Sequence, residues 1–341
     1  MYLKLSLAIA LLSALLKLYI HFAPAPSISR SQVKWYQRGS FHRLSNGNDM
    51  FYVDSHPNTK VGKNPNDINK DDVILLIHGF PSSSYDYSTL FTSIQKKCSC
   101  RVLTFDHLGF GFSKKPPTYN YTMPNLATNM IDFLKAKGLE NVHVIAHDMG
   151  DTVLTETLSI LEEQGKTSGF KSITFTNGGM VFDSIGLRLG QKIILSNYGS
   201  LFISTIPSIF LRLFTLKQIY SVWSPESDRR RMELESNEML DLVEYNEGNI
   251  IIDRLSSYLK ERSKPENEKR WFATLGRLKV PIKLCWGDRD AVAPMEIPRE
   301  LVKRARLRNA EVEIMEGVGH FGMLEDGERW MDCVLGKELL V

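Results

Sequence analysis

Short, continuous apolar runs alternate along the chain with longer stretches of helical periodicity. "VILLIHGF" from Val73, "RVLTFD" (101–106), "VHVIAH" (142–147), "SITFTNG" (172–178), "IKLCWG" (282–287) and "VEIMEG" (312–317) read as strands. Runs of this kind suit a parallel sheet covered by helices on both faces. Between them, apolar residues recur at helical spacing from Tyr87 to Lys97, Met123 to Lys137, Val153 to Glu163 and Glu300 to Arg308. Strands alternating with helices predict a doubly wound, mostly parallel α/β sheet flanked by helices. Ahead of these, "FHRLSNGNDMFYVDSH" predicts a hairpin turning at Asn46-Gly47, and "NTKVGKNPNDINKDD" a polar loop.

The alternation breaks between about Phe182 and Leu275, where the periodicity is helical throughout and no strand pattern occurs. A helical insertion between two core strands predicts a cap over the carboxyl edge of the sheet, the edge at which open α/β sheets bind ligands. The expected domain spans 30–341, with a core of 30–181 and 276–341 and a cap of about 182–275. The insertion is rich in basic residues: Arg229-Arg230-Arg231, Arg254, Lys260, Arg262, Lys264, Lys269 and Arg270. A solvated surface is the expected role for these, with contact to anionic lipid heads the alternative.

The N-terminus, residues 1–24, has its own pattern. Lys4 precedes an apolar run from Leu5 to Leu16, and Lys17 then interrupts it before more apolar residues and "APAPS". A spanning helix needs about 20 residues, which this stretch reaches only if Lys17 snorkels to an interface. The expectation is an uncleaved signal-anchor, with a cleaved signal peptide as the rival, and placement in the endoplasmic reticulum membrane. Asn120-Tyr121-Thr122 is an N-glycosylation acceptor pattern, usable if the domain is lumenal.

Composition narrows the remaining classes. With 341 residues, 43% hydrophobic and 24% charged, the chain is ordinary globular material. A formal net charge of +3 is too small to argue for nucleic acid as a partner. The four cysteines, Cys98, Cys100, Cys285 and Cys333, show no metal-ligand spacing, and no metal is expected. Residues two apart on a strand point the same way without suitable disulfide geometry, so Cys98 and Cys100 are expected to stay unbridged and no disulfide framework is expected.

The chemistry gathers at one edge of the expected sheet. "HGFPSSSYDY", "HDMGD", "GDRDAVAP" and "GVGHFGMLE" each follow a strand. "NVHVIAHDMGDTV" (141–153) reads as strand, sharp turn and helix, the setting in which a G-x-S-x-G motif presents a serine nucleophile. Here Ala146 stands for the first glycine and Asp148 for the serine. An aspartate is ionised at neutral pH and needs no base to deprotonate it. The plain alternative is that Asp148 caps the following helix. Asp290 and His320 complete the chain order nucleophile, acid, histidine. His78 and His147, at strand ends, are expected to make local hydrogen bonds.

At Asp148, Asp290 and His320 the chain resembles the α/β-hydrolase superfamily. More narrowly it resembles the branch with aspartate nucleophiles, the epoxide hydrolases and haloalkane dehalogenases. The likeness runs from Phe41 onward, through "LLIHGFP", "RVLTFDHLGFGFSKKP", "HDMGD", "NEGNIIIDRLSSYLKER" and "GVGHF". It implies an α/β-hydrolase fold with an inserted helical cap and no cofactor. The family pattern of Gly, Asp, then Pro matches Gly287, Asp290 and Pro294, leaving Asp288 as a turn residue. Asp106 with "GFGFS" resembles the family's turn beside the oxyanion loop, an architectural role.

The implied reaction is attack by Asp148 on a saturated carbon, giving an alkyl-enzyme ester. His320, oriented by Asp290, would activate the water that cleaves it, and the backbone N–H groups of Phe80 and Met149 would form the oxyanion hole. Dehalogenases usually carry a tryptophan where this chain has Met149, which argues against dehalogenation. Epoxide hydrolases use cap tyrosines as acids, and the candidates are Tyr258, Tyr198, Tyr220 and Tyr245, each with a plain packing alternative. The expected substrate is small and lipophilic, and the expected membrane contact is through the N-terminal segment. A non-catalytic receptor or partner-binding protein on the same fold stays open, as does a dehalogenase-like hydrolase. The missing serine argues against an acyl hydrolase.

Overall fold

The six apolar runs become six parallel strands. A computed structural model of the chain describes residues 28–56, 72–166, 169–196, 208–308 and 310–339. The expected anchor and Tyr198 lie outside the described residues. Among the described residues no helix is long and apolar enough to cross a membrane.

The strands are β1 (Gly39–Arg43), β2 (Asp49–Asp54), β3 (Val73–Ile77), β4 (Arg101–Phe105), β5 (Val142–His147), β6 (Phe170–Thr176), β7 (Ile282–Gly287) and β8 (Ala310–Met315). They form one sheet in the order β1-β2-β4-β3-β5-β6-β7-β8. The hairpin β1–β2 turns at the expected Asn46-Gly47 and joins β4 antiparallel. All pairings from β4 to β8 are parallel. The chain leaves β3 outward to β4 and then returns to β5 on the other side. The crevice of this switch therefore opens at the carboxyl ends of β3 and β5, where such sheets take ligands.

Alternation along β3 divides the core. Val73, Leu75 and Ile77 point into one apolar cluster, and Ile74 and Leu76 into another on the opposite face, the period-two geometry of a strand. The helices are α1 (Arg30–Arg38), α2 (Phe91–Cys98), α3 (Met123–Lys137), α4 (Met149–Glu163), α5 (Leu189–Leu195), α6 (Ser208–Tyr220), α7 (Arg229–Glu244), α8 (Ile252–Leu255), α9 (Tyr258–Arg262), α10 (Pro265–Arg277), α11 (Glu296–Arg304), α12 (Gly322–Glu325) and α13 (Gly327–Leu339). Residues of α3, α4, α10 and α11 fill the first cluster, and residues of α1, α2 and α13 the second. Helix α1 is not foreshadowed by the apolar pattern; it begins with a capping box in which Ser29 and Gln32 satisfy each other's backbone N–H.

Between β6 and β7 the described residues are helical, α5 to α10, with no strand. Many polar contacts fasten this segment to the core, among them those of two buried core side chains, Lys115 and Gln32. Lys115 is buried, and its Nζ donates to Gly111 O (2.6 Å) in the core and to Leu242 O (3.0 Å) and Tyr245 O (2.8 Å) above it. Gln32 of α1 donates to Glu238 O of α7 at 2.7 Å.

Two expectations are corrected. Cys98–Cys100 and Cys285–Cys333 are disulfides, with Cα separations of 5.1 and 6.0 Å. Cys98 closes α2 and Ser99 takes a left-handed φ of 48°, which turns the two side chains toward each other, as a strand would not. The inserted basic residues are not uniformly solvated. Arg254, Lys260, Lys264 and Lys269 are exposed, but Arg270 pairs with the buried Glu156 and Arg262 is itself buried.

Lys115→Ala should strip the common donor from three carbonyls. A buried acceptor left unsatisfied costs about 1–3 kcal/mol, so unfolding in denaturant should shift by at least about 2 kcal/mol. An unchanged midpoint would show that these carbonyls find other partners.

Candidate active site

Strand β5 ends at His147 and α4 begins at Met149, leaving Asp148 in the turn with φ 46° and ψ −111°. A non-glycine residue held at positive φ costs about 1–3 kcal/mol and needs surroundings that enforce it. Here they do. A Cβ on Gly79 would lie 2.6 Å from Asp148 Cβ, and one on Gly150 would lie 2.8 Å from His78 O, so only glycine lets the β3 loop and α4 close on the turn. The Asp148 side chain makes no capping bond to α4. It turns instead toward the β3 loop, where Oδ2 accepts from the Phe80 N–H at 3.0 Å. The capping alternative therefore falls. The N–H of Met149, at the first residue of α4, is next to the same carboxylate along the chain.

His320 and Asp290 come from the loops after β8 and β7. His320 Nδ1 lies 2.7 Å from Asp290 Oδ2. Asp290 is held at both oxygens: Val292 N–H (2.7 Å) and Ala293 N–H (2.9 Å) donate to Oδ1, and Asn177 Nδ2 (2.8 Å) donates to Oδ2. Asp288 instead accepts from the Gly317 N–H at 2.7 Å and fixes the turn between the two loops, as expected. Burial raises the Asp290 carboxyl, but the His320 charge and these donors outweigh it and leave it below the usual range. Burial pulls His320 down, yet Asp290, its hydrogen bond and Asp148 together push it up to about 9.

The remaining polar residues are scaffolding. Asp106 accepts from the N–H groups of Ser84 and Phe112, both at 2.7 Å, and so ties the loop after β3 to the loop after β4. His78 Nε2 accepts from the His107 N–H at 3.0 Å. His147, which burial depresses to about 3, is neutral and lies within 3.1 Å of Thr176 O.

Arg262 was assigned to solvent by the sequence pattern and is found at the centre. Its Nη2 donates to Asp148 O at 2.7 Å and its Nε to Thr152 Oγ1 at 2.8 Å. Its Nη1 lies 3.3 Å from Asp148 Oδ1. Burial would raise the Asp148 carboxyl, but Arg262, His320 and the Phe80 N–H hold it below the usual range, so it is ionised. Arg262 also lies 4.8 Å from the ring of Tyr258, four residues earlier. That i, i+4 spacing on one helical face was the signal available in the sequence. Asn177, at the end of β6, carried none.

Above Asp148 lies a cavity of about 120 Å³, and both Asp148 and His320 line it. Its wall is largely apolar, including Phe80, Phe214, Ile219 and Val222. Of the described candidate tyrosines, Tyr258 alone lines it. Tyr220 accepts from Asn237 Nδ2, and Tyr245 packs on Phe112; neither reaches the cavity. Burial and the Asp148 charge hold the Tyr258 phenol neutral far above neutral pH, with Gln191 as its hydrogen-bonding neighbour.

Residues 72–327 match the family described as alpha/beta hydrolase fold. The chain belongs to the alpha/beta hydrolase family. This alpha/beta hydrolase is 30% identical to the mesoderm-specific transcript protein of Mus musculus, over 97% of this chain and 93% of that protein. It is 29% identical to the putative hydrolase LipZ of Mycobacterium tuberculosis, over 77% and 86% of the two chains. Among solved structures, an esterase from Exiguobacterium antarcticum superposes with a TM-score of 0.63 at 16% identity, covering 87% of this chain and 98% of that one. That likeness bears on the fold alone.

The charge of Asp148 is one of the influences that raise His320. Asp148→Asn should therefore lower the imidazole titration, followed by NMR, from near 9. An unchanged titration would mean that the Asp148 charge has no part in setting it.

Proposed function

We propose that this alpha/beta hydrolase opens an epoxide of a small lipophilic molecule through an alkyl ester on Asp148. The supporting observation is that the carboxylate itself, at Oδ2, takes up the Phe80 N–H. In a serine hydrolase that donor receives the substrate's carbonyl oxygen. With the enzyme's own oxygen there, the tetrahedral centre belongs on Asp148 Cγ, as hydrolysis of an alkyl ester requires.

The steps follow from the site. Asp148 Oδ1 attacks an epoxide carbon, the ring C–O bond breaks, and the ring oxygen takes the proton of Tyr258. His320 then takes a proton from water, and the hydroxide adds to Asp148 Cγ. The charge gathers on Oδ2, facing the N–H groups of Phe80 and Met149. Collapse breaks the bond from Cγ to the alkyl oxygen, which His320 protonates as the diol leaves, and the proton then left on the Asp148 carboxyl passes to the Tyr258 phenolate, restoring both groups. His320 must be neutral to act as base. Esterification favours this, because it removes the Asp148 charge that helps hold the imidazole protonated. The apolar cavity suits a lipophilic substrate, and two disulfides suit an oxidising compartment. An N-terminal anchor in the endoplasmic reticulum membrane belongs to the same proposal.

A second reading, ester hydrolysis, is favoured by the names of relatives such as Lipase 1 of Psychrobacter immobilis, 24% identical over 83% of this chain. It would require Asp148 to form an acyl anhydride in place of an acyl-serine.

His320→Gln should block the second step. Incubated with a panel of lipophilic epoxides, this variant should show by mass spectrometry an adduct on the peptide containing Asp148. Acyl adducts from p-nitrophenyl esters instead would replace the epoxide reading with the ester one. Tyr258→Phe should leave the fold intact and lower epoxide turnover by about 10²–10⁴-fold, the scale of general acid catalysis. Full activity in that variant would remove Tyr258 as the acid.

A further inference from the structure

One cation in the wall of the cavity above Asp148 has no part in the steps above. Arg188, the residue before α5, lines that cavity and is half-buried. Its Nε donates to Ser221 Oγ and its Nη2 to Ser221 O, both at 3.1 Å. Ser221 Oγ gives its own proton to Gln218 O (2.6 Å), so its lone pair faces the guanidinium and fixes it. Nη1 has no hydrogen-bond partner among the described residues. The charge has none either. Between Asp183 and Glu226 the sequence holds no acidic residue. Arg212, in the same stretch, takes Asp241 and Glu244 from α7, each at 2.8 Å. Arg188 meets no carboxylate at ion-pairing distance among the described residues. A cation partly withdrawn from water and left without a counter-ion is a ready seat for an anion.

The amides beside it are turned the same way. Gln191 Oε1 accepts from the Arg188 N–H (2.8 Å) and Gln218 Oε1 from the Gly190 N–H (3.3 Å). Both residues line the cavity, and with their oxygens engaged only their NH2 groups remain to meet a ligand. The two hydroxyls in the wall, Thr215 and Ser256, donate to carbonyls one turn back, Leu211 O (2.8 Å) and Ile252 O (2.9 Å). They carry no charge and compete with none. The Asp148 carboxylate already faces Arg262 at 3.3 Å. The seat of Arg188 is also tied to the reacting groups: Val222, next to Ser221, accepts from the His320 N–H at 3.0 Å. One end of α6 thus holds both the guanidinium and the imidazole loop in place.

We propose that Arg188, with Gln218 beside it, seats the anionic head of the substrate, a carboxylate or a phosphate, while the apolar chain runs along the cavity to Asp148. Arg188 is then a specificity-determining residue that selects acidic amphiphiles over neutral ones of the same length. For the reaction at the chain this rests on the reading of Asp148 as an epoxide nucleophile; the seat for the head stands on its own contacts. The Nη1–Nη2 edge of a guanidinium is a fork that matches two oxygens of one carboxylate or phosphate. With Nε and one N–H of Nη2 held by Ser221, that fork is pre-oriented before any ligand arrives. The head takes no part in bond making and leaves unchanged with the diol.

Unreactive probes test the seat directly. The full chain, held in phosphatidylcholine nanodiscs, is titrated calorimetrically with hexanoate, hexyl phosphate and hexanol, with empty nanodiscs subtracted. At least one of the two anions should bind more tightly than the alcohol by about 10–100-fold, the scale of hydrogen bonds to a charged group. Which anion binds better tells a fatty-acid head from a phospholipid one. Arg188→Met should bring the anions down to the level of the alcohol, and Arg188→Lys should restore part of the preference. Equal binding of all three probes by the native protein overturns the proposal. So does an Arg188→Met protein that loses acid and alcohol alike, since Arg188 would then only pack the roof. In the His320→Gln protein, a terminal epoxy-alkanoic acid should label Asp148 faster than its methyl ester, and Arg188→Met should erase the difference. If hexanoate is preferred but neither epoxide labels Asp148, the seat stands and the epoxide reading fails. If both epoxides label it equally and the probes bind equally, the epoxide reading stands and the seat fails.

Discussion

One negative charge in a dry crevice governs this molecule. Asp148 sits where the sheet reverses its order, at a backbone angle that L-residues avoid, with almost no solvent to stabilise its carboxylate. A buried ion is tolerated only when its charge is met and its lone pairs are used. The Phe80 N–H meets one oxygen, Arg262 faces the other, and the protonated state of His320 is favoured from the third side. Arg262 comes from the inserted helical segment. That segment is thus part of the electrostatic balance of the crevice as well as its roof.

The dependence runs in the other direction too. Arg262 reaches Asp148 because Gly179 leaves no side chain in its way, while Lys115 and Gln32 help fasten the inserted helices to the core. The Asp290–His320 pair is more local. Asp290 is fixed by two backbone N–H groups and by Asn177 before it meets the imidazole. The two halves of the site are coupled through charge, since the state of Asp148 adjusts the proton affinity of His320.

Much of this was legible in the sequence, for identifiable reasons. β3 was plain because all five of its residues are apolar and buried, and the hairpin because Asn46-Gly47 demands a turn. That Asp148, Asp290 and His320 meet at one edge was legible because each follows a strand, and a parallel sheet brings such strand ends together. Arg262 was missed because a buried arginine and a solvated one look alike in a basic stretch; its partners are 110 and 114 residues away in the chain. The disulfides were missed because strand geometry was assumed for Cys98 and Cys100, while Cys285 and Cys333 become neighbours only through tertiary packing of α13 on β7. Among the described tyrosines, the choice of Tyr258 over Tyr220 and Tyr245 depends on which side of each helix meets the cavity, and spacing alone leaves that open.

The bond between Cys285 and Cys333 also alters the topology of the chain. It closes a covalent ring across a sequence separation of 48 residues, and both Asp290 and His320 lie inside it. Asp148 and Arg262 lie outside. Loop-closure entropy alone assigns such a ring about 4 kcal/mol against the unfolded chain. Were the inserted helices to melt away from the sheet, the guanidinium would leave Asp148, but Asp290 and His320 could not drift farther apart than the ring allows. Recovery would then mean docking one segment onto a pair already assembled, a much smaller search than gathering four scattered side chains anew.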